Sequence, residues 1–317
     1  MSMTTDGLYP DTRPVVADVT RSLRDRHRAL RRTVNRRLQE LIPPEHADPH
    51  ELHRAMRYSL LAGGKRIRPL LTLQVATDLG AQLDQALEPA CAIEMIHAAS
   101  LILDDLPCMD DASLRRGQPA NHLAFGEDTA ILAATALLNR AFGVIAECET
   151  LTAAVRLELT RLLSAAVGSD GIIAGQFHDL RSKRGRQDDE AGLARMYTQK
   201  TGALFVAALE AGARIAGVDG AGIRAVREYG TNLGLAFQLL DDLLDSFGSS
   251  DVSGKDAGKD GERSLACRLG ADGARREVSR YIESAASALE PLGSTGVPLA
   301  ELARLYTQST LERVVSF

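Results

Sequence analysis

The residues best equipped to do chemistry are aspartates. Asp104-Asp105-Leu106-Pro107-Cys108-Met109-Asp110-Asp111 and Asp241-Asp242-Leu243-Leu244-Asp245 form two acidic clusters, each following an apolar run. Carboxylates set among apolar side chains are costly to bury unless something positive meets them. Hard divalent cations such as Mg²⁺ suit the role, because they take carboxylate oxygens and substrate phosphates as ligands. Asp241 and Asp245 stand one helical turn apart and share a face with Gln238, with Asp242 to one side. An exposed helix would pair such carboxylates with Lys or Arg four residues on. Here Phe237, Leu239, Leu240, Leu243 and Leu244 surround them. In the first cluster Pro107 lacks an amide proton and is expected to kink or end the helix, turning Asp110 and Asp111 back toward Asp104. A single cluster reads as an acidic helix end. Two, both preceded by apolar runs, favour a metal-held anion.

The cations complete that chemistry. Gly63-Gly64-Lys65-Arg66-Ile67-Arg68-Pro69 is a glycine turn with three cations ahead of a helix. Glycine permits close backbone approach, and arginine offers phosphate a planar fork of donors. Arg115-Arg116-Gly117 follows the first acidic cluster, Lys200-Thr201-Gly202 sits at an expected helix junction, and Lys255 and Lys259 lie in a loop after the second cluster. Amides at a helix start favour anions. Each run alone is an ordinary solvated charge; together they describe a divided site, with carboxylates for Mg²⁺ and cations for phosphate. That arrangement makes a diphosphate leave. Glu94 and His97 have the ExxH spacing of di-iron bundles, but a second copy is required and none is found. His97 reads instead as a phosphate donor or a core histidine. Gln176-Phe177-His178-Asp179, after Gly175, reads as a capping cluster at a helix end or as a polar patch beside the reaction centre.

Stepping outward, helical periodicity over 15–42, 50–62, 68–79, 85–106, 127–149, 152–174, 188–199, 201–217, 220–247, 271–290 and 298–314 must position these groups. Few segments alternate as strands do, so a sheet is not expected. Leu70–Ala76, Ala130–Leu138 and Gly202–Leu209 are apolar nearly all round and should lie deep. The expectation is a single all-α domain over 15–317 with a disordered tail at 1–14. A net charge of −5 speaks against nucleic acid. Four cysteines without a CxxC pair fit a reducing cytoplasm. No membrane span and no secretory signal are expected.

These motifs resemble the trans-isoprenyl diphosphate synthase (polyprenyl synthetase) family over roughly 50–270. The first aspartate motif is matched by Asp104, Asp105, Asp110 and Asp111 with Arg115-Arg116-Gly117, and the second, FQxxDDxxD, by Phe237, Gln238, Asp241, Asp242 and Asp245. GGKRxRP matches at 63–69, GQxxD at 175–179 and KTG at 200–202. The resemblance implies a single-domain isoprenoid-synthase helical bundle with a central cavity, working as a homodimer. It implies head-to-tail condensation of isopentenyl diphosphate with an allylic diphosphate (dimethylallyl, geranyl or farnesyl). The implied metal ligands, for three Mg²⁺, are Asp104, Asp105, Asp110, Asp111, Asp241, Asp242 and Asp245. Arg115, Lys200 and Lys259 are implied on the allylic diphosphate, with Thr201, Gln238 and Lys255 beside them; Lys65, Arg68, His97 and Arg116 are implied on isopentenyl diphosphate. After Lys259 the chain departs from the family, with Gly261-Glu262-Arg263-Ser264 where a glycine-lysine step is common. The stretch Glu94–Gly117 most resembles geranylgeranyl diphosphate synthases of carotenoid-making bacteria. Small residues at Ala99 and Ser100, with Met95 and Ile96 a turn deeper as a floor, imply room for a C20 chain. A farnesyl or C25 product, or a non-catalytic helical partner subunit, are the alternatives.

Overall fold

Apolar residues at helical spacing dictate helices, and glycine or proline ends most of them. The computed structural model describes residues 13–184, 189–247, 264–301, 303, 304 and 307. The order is α1 (Arg13–Leu41), α2 (His50–Leu61), α3 (Ile67–Asp78), α4 (Leu83–Asp104), β1 (Leu114–Arg115), β2 (Gln118–Pro119), α5 (Asn121–Phe125), α6 (Glu127–Glu147), α7 (Ala153–Val167) and α8 (Ile172–Lys183). Then come α9 (Glu190–Tyr197), a π-helical turn (Thr198–Gly202), α10 (Ala203–Ile215), α11 (Gly220–Phe247), α12 (Leu265–Ala288) and a 3₁₀ segment (Glu290–Gly296). The fold is all-α.

Two apolar cores share a common wall. One gathers Val34, Leu60, Ile93, Met95, Leu137 and Leu159 around α4. The other gathers Tyr229, Leu233, Leu240, Val278 and Ile282 around α11 and α12. Helices α3 and α10 stand between them. Leu70 and Leu73 face the first core while Leu71 and Val75 face the second; Ala207 and Ala211 likewise oppose Phe205 and Leu209. A helix with a core on each side must be apolar all round, as both segments are.

The structure departs from the sequence reading in five places. Residues 152–174 are not one helix: the chain turns between Gly168 and Gly171, and α8 begins at Ile172. A Cβ on Gly171 would sit 2.0 Å from the Ala166 carbonyl oxygen, so only glycine fits that turn. Gln176–Asp179 therefore lie inside α8, not in a cap. The segment 112–122 is not all loop; it holds the β1–β2 hairpin, with Leu114 opposite Pro119, and the start of α5. Arg116 (φ 55) and Gly117 (φ 78) make its tight turn, since such hairpins need positive φ at both central positions. Residues 200–202 are not a helix start: backbone angles stay helical from Tyr197 to Ala203, so no amide end faces an anion. Finally, Ala130–Leu138 is not buried all round, because Ile131 and Leu132 are exposed and no other described part of the chain covers them.

Two helices, α4 and α6, are long and apolar enough to cross a membrane by length and composition, which the sequence reading did not anticipate. Most of α4 is buried inside the bundle, whereas less than half of α6 is. The four cysteines are free. The N-terminal tail up to residue 12, the loop 248–263 and most of the chain after 304 lie outside the described residues.

Candidate active site

A cleft of about 510 Å³ opens where the two cores meet. From α4, His97, Ser100, Leu101 and Asp104 line it, a spacing that puts all four on one helical face. Gln238, Asp241 and Asp242 line it from α11, and Asp110 from the loop after α4. Helix α4 ends where the sequence requires: Asp105 caps it and Pro107 follows. The two acidic clusters thus meet across one cavity.

Their members do different things. Burial pushes the Asp104 carboxyl up to about 6, with Lys200 pulling down and Asp110 pushing up. Asp105 is 2% exposed and does not line the cleft. The Arg115 Nε donates to both of its carboxylate oxygens at 3.0 Å. Asp105 therefore holds Arg115, which itself lines the cleft. Asp111 is exposed, has φ 49 and is not on the cleft wall. Asp242 accepts from the Tyr197 hydroxyl and from Gln238 Nε2 at 2.9 Å. Gln238 Oε1 accepts from Thr201 at 2.5 Å, and the Leu265 amide donates to Tyr197 at 3.1 Å. This chain ties the π turn, α11 and α12 to one carboxylate. The Asp245 side chain, Lys255 and Lys259 lie outside the described residues.

The cations fall into two groups. Lys200, from the π turn, pairs with Asp179 of α8; burial would lower its pKa, but Asp179, Asp104 and Asp110 hold it up. Lys183, one turn after Asp179, bonds Asp110 at 2.9 Å and Asp179 at 3.2 Å. Burial would raise the Asp179 carboxyl, yet Lys200 and Lys183 keep it below its usual range. Helix α8 approaches Lys200 this closely because of Gly175: a Cβ there would lie 2.2 Å from the Lys200 amide nitrogen.

The second group is Arg68 and Arg116, with His97 beside Arg68. Arg68 lies 3.3 Å from His97 Nε2 and 4.5 Å from the centre of the Phe205 ring, which stacks on Phe237. Burial lowers the Arg68 pKa to about 10, so it stays charged at neutral pH. Burial and the neighbouring arginines drive His97 well below 6.5, so the ring is neutral. Accepting from Arg68 at Nε2 assigns its proton to Nδ1. Arg116 donates to the Ala62 carbonyl at 3.1 Å and lies against Gly64, where a Cβ would come within 3.0 Å of its guanidinium. The glycine turn thus makes space for Arg116. Lys65 is exposed and off the cleft wall. Arg66, the middle cation of the run, is buried: it pairs with Glu94 at 2.5 Å and donates to the Leu60 carbonyl at 2.7 Å. That pairing accounts for Glu94, so the ExxH spacing is a structural ion pair followed by a cleft histidine.

Among the described residues no three acidic, histidine or cysteine side chains form a ready-made metal cage. Oxygens of Asp104, Asp110, Asp241 and Asp242 instead line the cleft from different segments. That donor set fits Mg²⁺, which is held by one or two carboxylates plus substrate phosphate and water. Of the residues expected to set chain length, Ser100 lines the cleft, and its hydroxyl donates to the His97 carbonyl at 2.9 Å. Ala99, Met95 and Ile96 lie behind it in the first core. The sequence reading gave no role to Lys183 or Tyr197. The spacing of Asp179 and Lys183 on one helical turn was the available signal for the first; nothing in the sequence marks Tyr197.

A family model described as polyprenyl synthetase matches residues 49–276. The chain is 42% identical over 269 residues to a geranylgeranyl diphosphate synthase of Pantoea ananas, covering 84% of this chain and 87% of that protein. It is 40% identical over 292 residues to a farnesyl diphosphate synthase of Geobacillus stearothermophilus, covering 90% and 96%. Among solved structures, an FPP/GFPP synthase of Zymomonas mobilis superposes with a TM-score of 0.81 at 34% identity, over 90% of this chain and 98% of that one.

Proposed function

The chain belongs to the polyprenyl synthetase family and is a trans-prenyltransferase, and from that premise we propose that it condenses isopentenyl diphosphate with allylic diphosphates up to geranylgeranyl diphosphate. One observation carries the reading: both acidic clusters and two separate sets of cations line the same cleft. Two diphosphates need two cationic sites, and only the one meeting the carboxylates needs metal.

Asp104, Asp110, Asp241 and Asp242 would hold Mg²⁺, with Asp245 continuing the second cluster. The chemistry such an ion would supply is positive charge that offsets the negative charge developing on the leaving diphosphate. Lys200 and Arg115 face that diphosphate, and Thr201 and Gln238 fix Asp242 beside it. Arg68, Arg116 and the neutral His97 bind the isopentenyl diphosphate. The allylic C–O bond breaks and its electron pair leaves with diphosphate. The alkene of isopentenyl diphosphate supplies the new C–C bond, and a proton departs to the released diphosphate, which restores the double bond. Leu101, Leu193 and Met196 on the cleft wall exclude water, which would quench the cation.

A C20 product is supported by the small Ser100 on the α4 wall, where an aromatic side chain would shorten the space. Homodimerisation is supported by α6, whose Ile131 and Leu132 are 44% and 59% exposed. Apolar surface that the chain itself leaves uncovered is what an interface between two copies would bury. Purified protein given Mg²⁺, labelled isopentenyl diphosphate and each allylic primer in turn tests the reading. Extension to C20 is expected. Products stopping at C15 or running to C25 overturn the chain length, and no extension overturns the activity.

A further inference from the structure

One carboxylate counted above among the metal-holding oxygens already carries a protein cation. Lys183 Nζ lies 2.9 Å from Asp110 Oδ1. The lysine belongs to α8, its partner to the loop after α4, and both line the cleft. The same ammonium lies 3.2 Å from Asp179 Oδ2, one turn back on its own helix. Asp179 also receives Lys200, so it is a carboxylate built to serve two lysines. A divalent ion bound at Asp110 Oδ1 meets the Lys183 ammonium across that one oxygen, and the repulsion between the two cations favours the lysine's withdrawal. The displaced ammonium keeps Asp179.

We propose that Lys183 is the internal counter-ion of Asp110, covering the oxygen that a divalent cation takes and withdrawing to Asp179 when the cation binds. Lys183 thereby sets how much divalent ion the cleft requires. It holds the loop after α4 against α8 until the metal arrives, and keeps Asp110 paired in the meantime. The inference rests on the metal-holding role assigned above.

The test titrates Mn²⁺, which shares the oxygen preference of Mg²⁺, into the full chain without substrate, following free Mn²⁺ by electron paramagnetic resonance. Lys183→Gln should tighten binding on the order of threefold to fivefold, the scale of one partly exposed ion pair. Lys183→Arg should bind like the wild type. Arg181→Gln controls for mere loss of positive charge: Arg181 is exposed on the same helix and packs on Phe177, and its loss should change Mn²⁺ affinity little. Unchanged or weaker binding in Lys183→Gln, or an equal gain in Arg181→Gln, overturns the proposal. Prenyl transfer is assayed separately. If the wild type transfers prenyl groups while Lys183→Gln binds Mn²⁺ as it does, only the counter-ion role is lost. If Lys183→Gln binds Mn²⁺ more tightly but no prenyl transfer occurs, the counter-ion role stands and the activity falls.

Discussion

At the scale of single residues, the site works by keeping charge where it is uncomfortable. Asp104 unfolded loses its proton near 3.8, and in the cleft near 6. Between those values the folded state holds the extra proton, so this group's contribution to stability falls as pH rises through that window and stays lost above it. At neutral pH the cost is on the order of 1–3 kcal/mol. Asp104→Asn should therefore raise the melting temperature of the metal-free protein at pH 7 by a few degrees, while lowering kcat by roughly a hundredfold or more; calorimetry and initial rates check both. In the wild type, the Mg²⁺ needed for half-maximal rate should rise as pH drops below 6, since protons and metal compete for the same carboxylate. Asp105 behaves differently despite its place in the motif. Asp105→Asn should raise KM for the allylic diphosphate about tenfold through a loosened Arg115 and leave the Mg²⁺ requirement alone. A shifted Mg²⁺ requirement would return Asp105 to the metal. The sequence showed which residue types gather here, because aspartates on apolar helix faces are rare. It could not show that Asp105 turns away from the cleft, since that depends on Arg115 arriving from a hairpin.

At the scale of elements, close approach positions the chemistry. Gly175→Ala places a methyl about where the Lys200 amide is, 2.2 Å away, so α8 and the π turn must part. A loss of several kcal/mol is expected, read as a lower denaturation midpoint. If the variant folds normally, its rate should still fall with the displacement of Lys200. Gly234 plays the same part across from Gly202, whose Cα would be 2.9 Å from a Cβ at that position. Helical periodicity made α2, α3, α4 and α11 legible to within a few residues. The break at Gly168–Gly171 and the continuous π turn were not legible, because tertiary contact, not local propensity, decides whether a glycine ends a helix or packs one.

At the scale of the whole molecule, two cores back to back leave a cleft between acidic helices and two exposed apolar side chains, Ile131 and Leu132, on α6. If this face joins two copies, Leu132→Glu should convert a dimer to a monomer in light scattering, while a monomeric wild type would contradict it. The all-α fold was legible from the sequence because nearly every apolar position repeats at helical spacing. The exposed side of α6 was not, since a helix apolar all round looks the same whether its cover is its own chain or another. The central claim is that α4 and α11 hold one diphosphate between them through shared metal. Crystals grown with Mn²⁺ and an unreactive allylic diphosphate analogue would show the metals directly by anomalous scattering. The account predicts peaks in bonding contact with Asp104 or Asp110 on one side and Asp241 on the other, bridged by the diphosphate. Metal confined to one cluster, or a diphosphate bound away from both, would contradict it.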